Sequence, residues 1–581
     1  MTETKTLLIS KKNNPKEFFS ELHRIRREEY QQKEKVLSEL IIKINKEDGV
    51  DFCQIAVDAI NDGFRCFDVT PVLEESLADM NLNISSVLML AESLFEGMQG
   101  DMAAFRQFKS FEDLVVKQPE FTRNLLEELL KQDKPYVVGY VSTLYQSLSK
   151  NNEREIHKEL CALKTHKSKY VLMAVADALG ALNYKPSKNQ SLVKKTLNVL
   201  EELEAKNLDE VKRIAVFAYM KLFDYSEQSK NKLIKLSESN QPLILGALSH
   251  VLLCTQEKSG NEQWFSDVLL NLTNTSCDDK GIIENIDFVL AGLIEKNDNW
   301  DLAEGFFISW LQNSNYDSKN DKLSDLFNST FAAIVNRREK FEILLTKFFN
   351  HDSFKIHGAA SELISYCQLH KVSQLNLDKK LLKSMSYEDC LYISRKVLGY
   401  VISSEYLCSL CFSILDKSPR NIKLKGLIYS VFRSHIGENY PGRTIEFLKK
   451  VSSQTKSINK KQVADQVVED IENYFSERES LPKLNELIAP KQRSQKIFIE
   501  SNKKMKAAME EAQQNSFVSM IASRIVLKHG KGSFHFMDGK YSNISKLGLY
   551  STNMEMPHAE ITHPVDAALE RMNFRLVERG Q

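Results

Sequence analysis

Strongly apolar helical segments return along this chain at intervals of 29 to 43 residues, opening near His166, Leu208, Asn240, Gly281, Ser324, Ser353, Tyr387 and Asn421, roughly 36 residues apart on average. Short polar linkers separate them. A lone globular core has no need of such a rhythm. Stacked helical hairpins do, because each hairpin is too small to bury its apolar face alone and covers it with the next. The pattern therefore says much about the scaffold and little about the task.

The chain has 581 residues, more than one ordinary core accommodates, which calls for several domains or an elongated array. With 42% hydrophobic and 27% charged residues it has the composition of a folded protein. No stretch approaches the run of roughly 18 apolar residues that spans a membrane, and the N-terminus lacks a long apolar run followed by a cleavage site, so a cytosolic location is expected. The nine cysteines are scattered and odd in number, and most lie in apolar helical runs, as small buried side chains do in a reducing compartment. Cys408 and Cys411 form the one C-x-x-C pair, with no second pair to complete a tetrahedral zinc site.

Four segments are expected: an N-terminal helical region (1–165), a helical repeat array (166–440), a basic and acidic helical segment with a long polar helix (441–515) and a small C-terminal α/β element (516–581). The first opens with a helix started by Asn14 and Pro15 and running to about Lys46, with Phe18, Leu22, Ile25, Val36, Leu40 and Ile44 on its apolar stripe. Its charged middle, Arg24 to Lys35, reads as a solvated face. Interruptions are expected near Asp68 to Pro71, Gly97 to Asp101, Pro119 and Pro135.

In the array, Val211, Ile214, Ala215, Ala218 and Leu222 mark one stripe, and Phe217, Met220 and Phe223 widen it, so that this helix needs neighbours on more than one side. Ile286, Val289, Leu290 and Leu293 repeat the pattern, and the Asn-, Asp- and Ser-rich linker 313–322 supplies a turn. In spacing and apolar pattern, over roughly half its length, the chain resembles the HEAT and armadillo class of α-solenoids. That resemblance is architectural, with no family-specific residue signature. It implies a protein-binding scaffold, and in some members a grip on nucleic acid.

Basic and acidic residues balance at 78 each, yet 417–461 holds 11 Lys or Arg against Glu438 and Glu446 alone. An acidic run follows from Asp465 to Glu479, and 483–546 returns to 12 basic against 5 acidic residues. Two explanations compete: a phosphate-bearing partner at that end, or self-complementary contact between oppositely charged ends or subunits. Arg420, Lys423, Lys425, Arg433 and Arg443, with Lys503, Lys504 and Lys506 on the polar helix 491–515, are the candidate residues for an anionic partner.

In the C-terminal region a helix is expected over 516–523, a strand over 524–528 and a β-hairpin about Asp538-Gly539. Gly530-Lys531-Gly532 lacks the pattern of a phosphate loop and reads as a turn. His529, His535, His558, Glu560 and His563 form the one enzyme-like cluster. The 558–563 spacing is wrong for a zinc protease, and Pro557 and Pro564 suggest extended chain between them. Read as a cap, this region covers the end of the last helices.

The resulting expectation is a mostly α protein, an α-solenoid of stacked helical hairpins with a small C-terminal α/β element containing the hairpin. It is read as a non-catalytic scaffold or adaptor with a protein partner and no cofactor, metal or membrane contact. The alternative is nucleic-acid binding through the basic C-terminal third, in an accessory component of a bacterial multi-protein or defence-type system. A metal-dependent or acid–base enzyme built on the His and Glu cluster is the third reading.

Overall fold

Helices begin where capping chemistry places them. Asn14 Oδ1 accepts the Glu17 N–H at 3.3 Å, and Pro15 fills the first helical position, where a missing N–H costs nothing. Ser168 Oγ and Asn421 Oδ1 cap the helices that follow them, and Ser386 with Asp389 forms a reciprocal capping box. Pro119, Pro242, Pro441 and Pro564 all stand in the first turn of a helix.

The computed structural model describes residues 2–580 apart from 33–36, 99–103, 185–189, 297, 318–319, 373, 483–490, 515–531, 534–535, 538–539, 542–544, 547–554 and 556. The chain divides into two compact units, residues 1–340 and 341–581.

The first unit opens with α1 (Thr2–Lys11), α2 (Pro15–Gln32), α3 (Leu37–Asp48), α4 (Phe52–Asn61), α5 (Cys66–Ser76), α6 (Ile84–Gly97), α7 (Arg106–Lys117) and α8 (Pro119–Leu130). The helix expected to run to about Lys46 is seen as α2 and α3, on either side of 33–36, which lie outside the described residues. The break expected at Asp68 to Pro71 is absent, because Pro71 lies inside α5. There the Phe67 carbonyl, which a proline N–H cannot serve, accepts from the Thr70 hydroxyl at 3.4 Å.

The regular stack follows with α9 (Val137–Ala162), α10 (Lys169–Ala181), α11 (Gln190–Glu204), α12 (Asp209–Lys221), α13 (Glu227–Ser237), α14 (Pro242–Ser259), α15 (Gln263–Asn271), α16 (Lys280–Glu295), α17 (Trp300–Asn313), α18 (Leu323–Leu326) and α19 (Asn328–Asn336). The helices whose starts the apolar rhythm marks form one row: α10 packs on α12, α12 on α14, α14 on α16, and α16 on α18 together with α19 that follows it. A second row lies beside it, with α13 against α15 and α15 against α17. Polar bonds between neighbours repeat the period. Asp177 takes Ser142 and Lys221, Ser249 takes Asn285, and Asp287 takes the Thr330 N–H, at separations of 35, 44, 36 and 43 residues. Close packing sets the spacing of the row, since a Cβ on Gly180 of α10 would lie 2.6 Å from Ala218 Cα of α12.

The second unit contains most of α20 (Arg338–Phe349), then α21 (Phe354–Leu369), α22 (Lys379–Ser384), α23 (Tyr387–Tyr400), α24 (Ser404–Ser413) and α25 (Ile422–Ser430). A π-helical turn, Val431–Ile436, leads to α26 (Gly437–Asn439), α27 (Pro441–Gln454) and α28 (Ile458–Ser480). Helix pairing continues, α21 on α23, α23 on α25, α24 on α27 and α27 on α28. The long polar helix is α29 (Lys491–Gln514), and the chain ends with α30 (His558–Thr562) and α31 (Pro564–Leu576).

The expected C-terminal α/β element is reduced to two antiparallel ladders of two residues each, Phe536–Met537 with Lys540–Tyr541 and Gly532–Ser533 with Ser545–Lys546. Ladders this short, with no third strand among the described residues, form no sheet capable of organising a domain, and the expected β-hairpin is not supported as a structural element. The other regular elements of the described tail are α30 and α31. The strand expected at 524–528 and the helix at 516–523 lie outside the described residues.

Candidate functional site

The second unit carries a face on which a segment of the chain is already held. Lys396 lies on the apolar side of α23 and is 1% exposed. Its ammonium donates to the carbonyl oxygens of Arg575 at 2.6 Å and Val577 at 2.8 Å, at the C-terminal end of α31 where helix carbonyls lack intrahelical partners and carry the negative end of the dipole. The same ammonium lies 4.9 Å and 5.5 Å from the ring centres of Tyr392 and Phe354. Burial pushes its pKa down, against the opposing pull of Asp352.

Gly399, one turn on, lets the two helices meet. A Cβ there would sit 3.0 Å from the Arg575 nitrogen, and Arg575 Nε donates to the Gly399 carbonyl at 2.7 Å. Beyond α31, Arg579 bonds Asn350 Oδ1 at 3.0 Å and Asp352 at 3.2 Å, pairs with Asp389 and covers the Tyr392 ring at 4.8 Å.

At the other end of the segment the Glu555 carboxylate accepts from the backbone N–H groups of Gly442 and Arg443, each at 2.7 Å. These are orphan donors at the N-terminus of α27, where negative charge is favoured. A cavity of about 340 Å³ adjoins the carboxylate, with Ser404, Arg443, Glu446, Phe447 and Lys450 in its lining. Between the two anchors Asn439 accepts the Ala559 N–H at 3.0 Å, His435 Nδ1 meets Glu570 at 2.9 Å, and the Phe574 ring packs edge-on against His435. Glu555 and residues 557–579 are therefore a strap laid across α23, α26 and α27. The Arg478–His558 contact at 3.0 Å links this crossing to α28, while much of the region expected to cap the last helices lies outside the described residues.

The basic residues singled out from sequence have mostly intramolecular roles. Lys425 donates to Asn459 at 2.6 Å, the Arg433 guanidinium lies 4.7 Å from the Tyr474 ring centre, Lys423 lies over Tyr387, and Arg443 pairs with Glu446 at 3.1 Å. Arg420 is exposed. Lys503 and Lys504 are exposed on α29, and Lys506 lies 3.9 Å from Glu510. The acidic run meets the basic one directly, with Lys449 on Glu472 at 2.7 Å and Tyr429 donating to Asp470 at 2.5 Å. Among the described residues, Arg443 is the candidate that touches the strap, through its backbone N–H.

The stretch 558–563 is not extended chain as expected. His558 to Thr562 form α30, Glu560 pairs with Arg571, and His563 is the junction residue before α31. Pro564 acts as a helix starter, which pushes only His563 away from helical angles. His529 and His535 lie outside the described residues, and among the described residues no group of three or more His, Cys, Asp or Glu is arranged to hold a metal ion. Cys408 and Cys411 are buried in α24, and burial pushes the Cys408 thiol up to about 12.

Sequence reasoning missed Lys396, Glu555, Arg575 and Arg579. A lysine placed within the apolar turns of α23 was the one available signal. The other three meet their partners more than 100 residues away in the chain.

No protein-family model and no curated protein matches the sequence. Among solved structures, the chain is similar to one from work on a phosphorylation switch in the interaction between cadherin and β-catenin, with 11% identity, a TM-score of 0.23 and coverage of 75% of this chain and 97% of that one. It is similar also to an engineered protein (12% identity, TM-score 0.18, 72% and 98% coverage) and to SYS-1 (11%, 0.19, 81% and 99%). The architecture rests on this chain's own contacts: within each unit, helical hairpins stack on one another as in HEAT and armadillo arrays.

Proposed function

We propose that this protein is a non-catalytic helical-repeat scaffold that holds a protein segment across the α23 to α27 face of its second unit. One observation carries the reading: that face already grips polypeptide. Lys396 takes two main-chain carbonyls and the start of α27 takes a carboxylate, groups that any protein segment can present. Aromatic rings and guanidinium groups beside these anchors, Tyr392 and Tyr400 with Arg575 and Arg579, belong to the residue types that concentrate binding energy at protein interfaces.

Photo-activated cross-linkers placed at Glu446 and Lys450, in the cavity beside Glu555, test the reading in the native cell. A discrete protein adduct at these positions, absent from a cross-linker at Lys235 in the first unit, is expected. Nuclease-sensitive adducts, or equal labelling at all three positions, would reject it.

A further inference from the structure

Two helices of the second unit carry apolar seams that nothing in the described chain covers. On α31 the strap's inner side meets the unit, while Val565, Leu569, Met572 and Leu576 face outward at 70%, 53%, 54% and 50% exposure. Their spacing of four, three and four is that of a coiled-coil seam. The same spacing occurs on α29 at Phe498, Asn502, Met505 and Met509, and the three apolar members are 66%, 57% and 68% exposed.

The state of α29 makes the match more than a coincidence of spacing. It is a helix of 24 residues in which every side chain described, from Lys491 to Glu510, is exposed. A helix with no packed face draws its stability from i,i+4 pairs along itself, such as Lys506 with Glu510, or from a partner that covers its apolar side chains. Among the described residues both seams remain open.

We propose that α29 of one copy packs antiparallel along α31 of a second copy, and that the reciprocal pair closes a two-fold dimer. Charge selects the direction. With Met505 opposite Leu569 and Met509 opposite Val565, Lys506 on the flank of one seam falls beside Asp566 on the flank of the other. Asn502 then sits within an otherwise apolar seam, where a single buried amide holds register. Each pair spans only the 13 residues of α31, so the dimer belongs to the small, concentration-dependent class. The inference is independent of the binding reading above, because it uses the outer side of the strap.

Light scattering of the full chain over a dilution series is the test. The mass is expected to rise from one to two chains with concentration. Phe498→Glu with Met505→Glu on α29 should abolish the rise, as should Leu569→Glu with Met572→Glu on α31; all four side chains are exposed, so the fold is spared. Mixing the two variants restores one intact pair and should give a heterodimer. A Met505→Cys and Leu569→Cys chain should form its disulfide between chains. A chain that stays monomeric throughout, a disulfide confined within one chain, or a dimer that survives either double variant would overturn the proposal.

Discussion

His357 is buried in α21 against Tyr392 and Tyr400, and neither ring nitrogen has a hydrogen-bond partner among the described residues. Burial first, and the Lys396 ammonium second, push its pKa down to about 4. An imidazole in the unfolded chain titrates near 6.5, so folding favours the neutral ring. Its contribution to stability is complete above about pH 6.5 and is lost as the pH falls from there towards 4, with a loss of about 2 kcal/mol by pH 5. Urea denaturation at pH 7 and pH 5 should show that drop, and a His357→Phe chain should lack it. Buried leucines make a second prediction at this scale. Leu248 of α14 and Leu290 of α16 are 0% exposed, and truncation of either to alanine should cost about 2–5 kcal/mol. Leu369, 80% exposed, serves as the control, and its alanine variant should unfold at the wild-type denaturant concentration.

At the scale of elements, helix starts were legible because they depend on a few adjacent residues. The starts inferred near Ser353, Tyr387 and Asn421 coincide with the capping residue or first residue of α21, α23 and α25. Pro71 was read as a breaker because its cost is local, while the Thr70 hydroxyl and the buried Val69, Val72 and Leu73 that offset it act through folding. The strap was illegible for the opposite reason, since its partners are distant in sequence. Gly399→Ala should separate strap from body, because the new methyl group would meet the Arg575 backbone while the other sides of α23 stay unchanged. Hydrogen exchange of residues 564–577 is expected to accelerate at least tenfold, with exchange in α21 and α25 unaltered. Unchanged protection of the strap would mean that the close approach at Gly399 contributes nothing.

At the scale of the whole molecule, zero net charge and a basic segment that leans on its own acidic run leave little field for a polyanion. DNA or RNA should therefore show no measurable affinity for the full chain even at low salt. Binding that weakens steeply with salt, and less steeply after Arg420→Ala or Lys423→Ala, would return the nucleic-acid alternative to first place.

Periodicity in the sequence was sufficient for the stack. Burial of each hairpin by its neighbour imposes a repeated apolar stripe, and the repeat is visible without coordinates. Inter-hairpin bonds such as Asp177 to Lys221 and Asp287 to Thr330 then fall at the same interval, so one physical cause underlies both patterns. What occupies the second unit's face was decided only in three dimensions. Lys396 holding the end of α31, and Glu555 at the start of α27, are single contacts between residues far apart in the chain. A contact made once leaves no period in the sequence, so only the folded chain displays it.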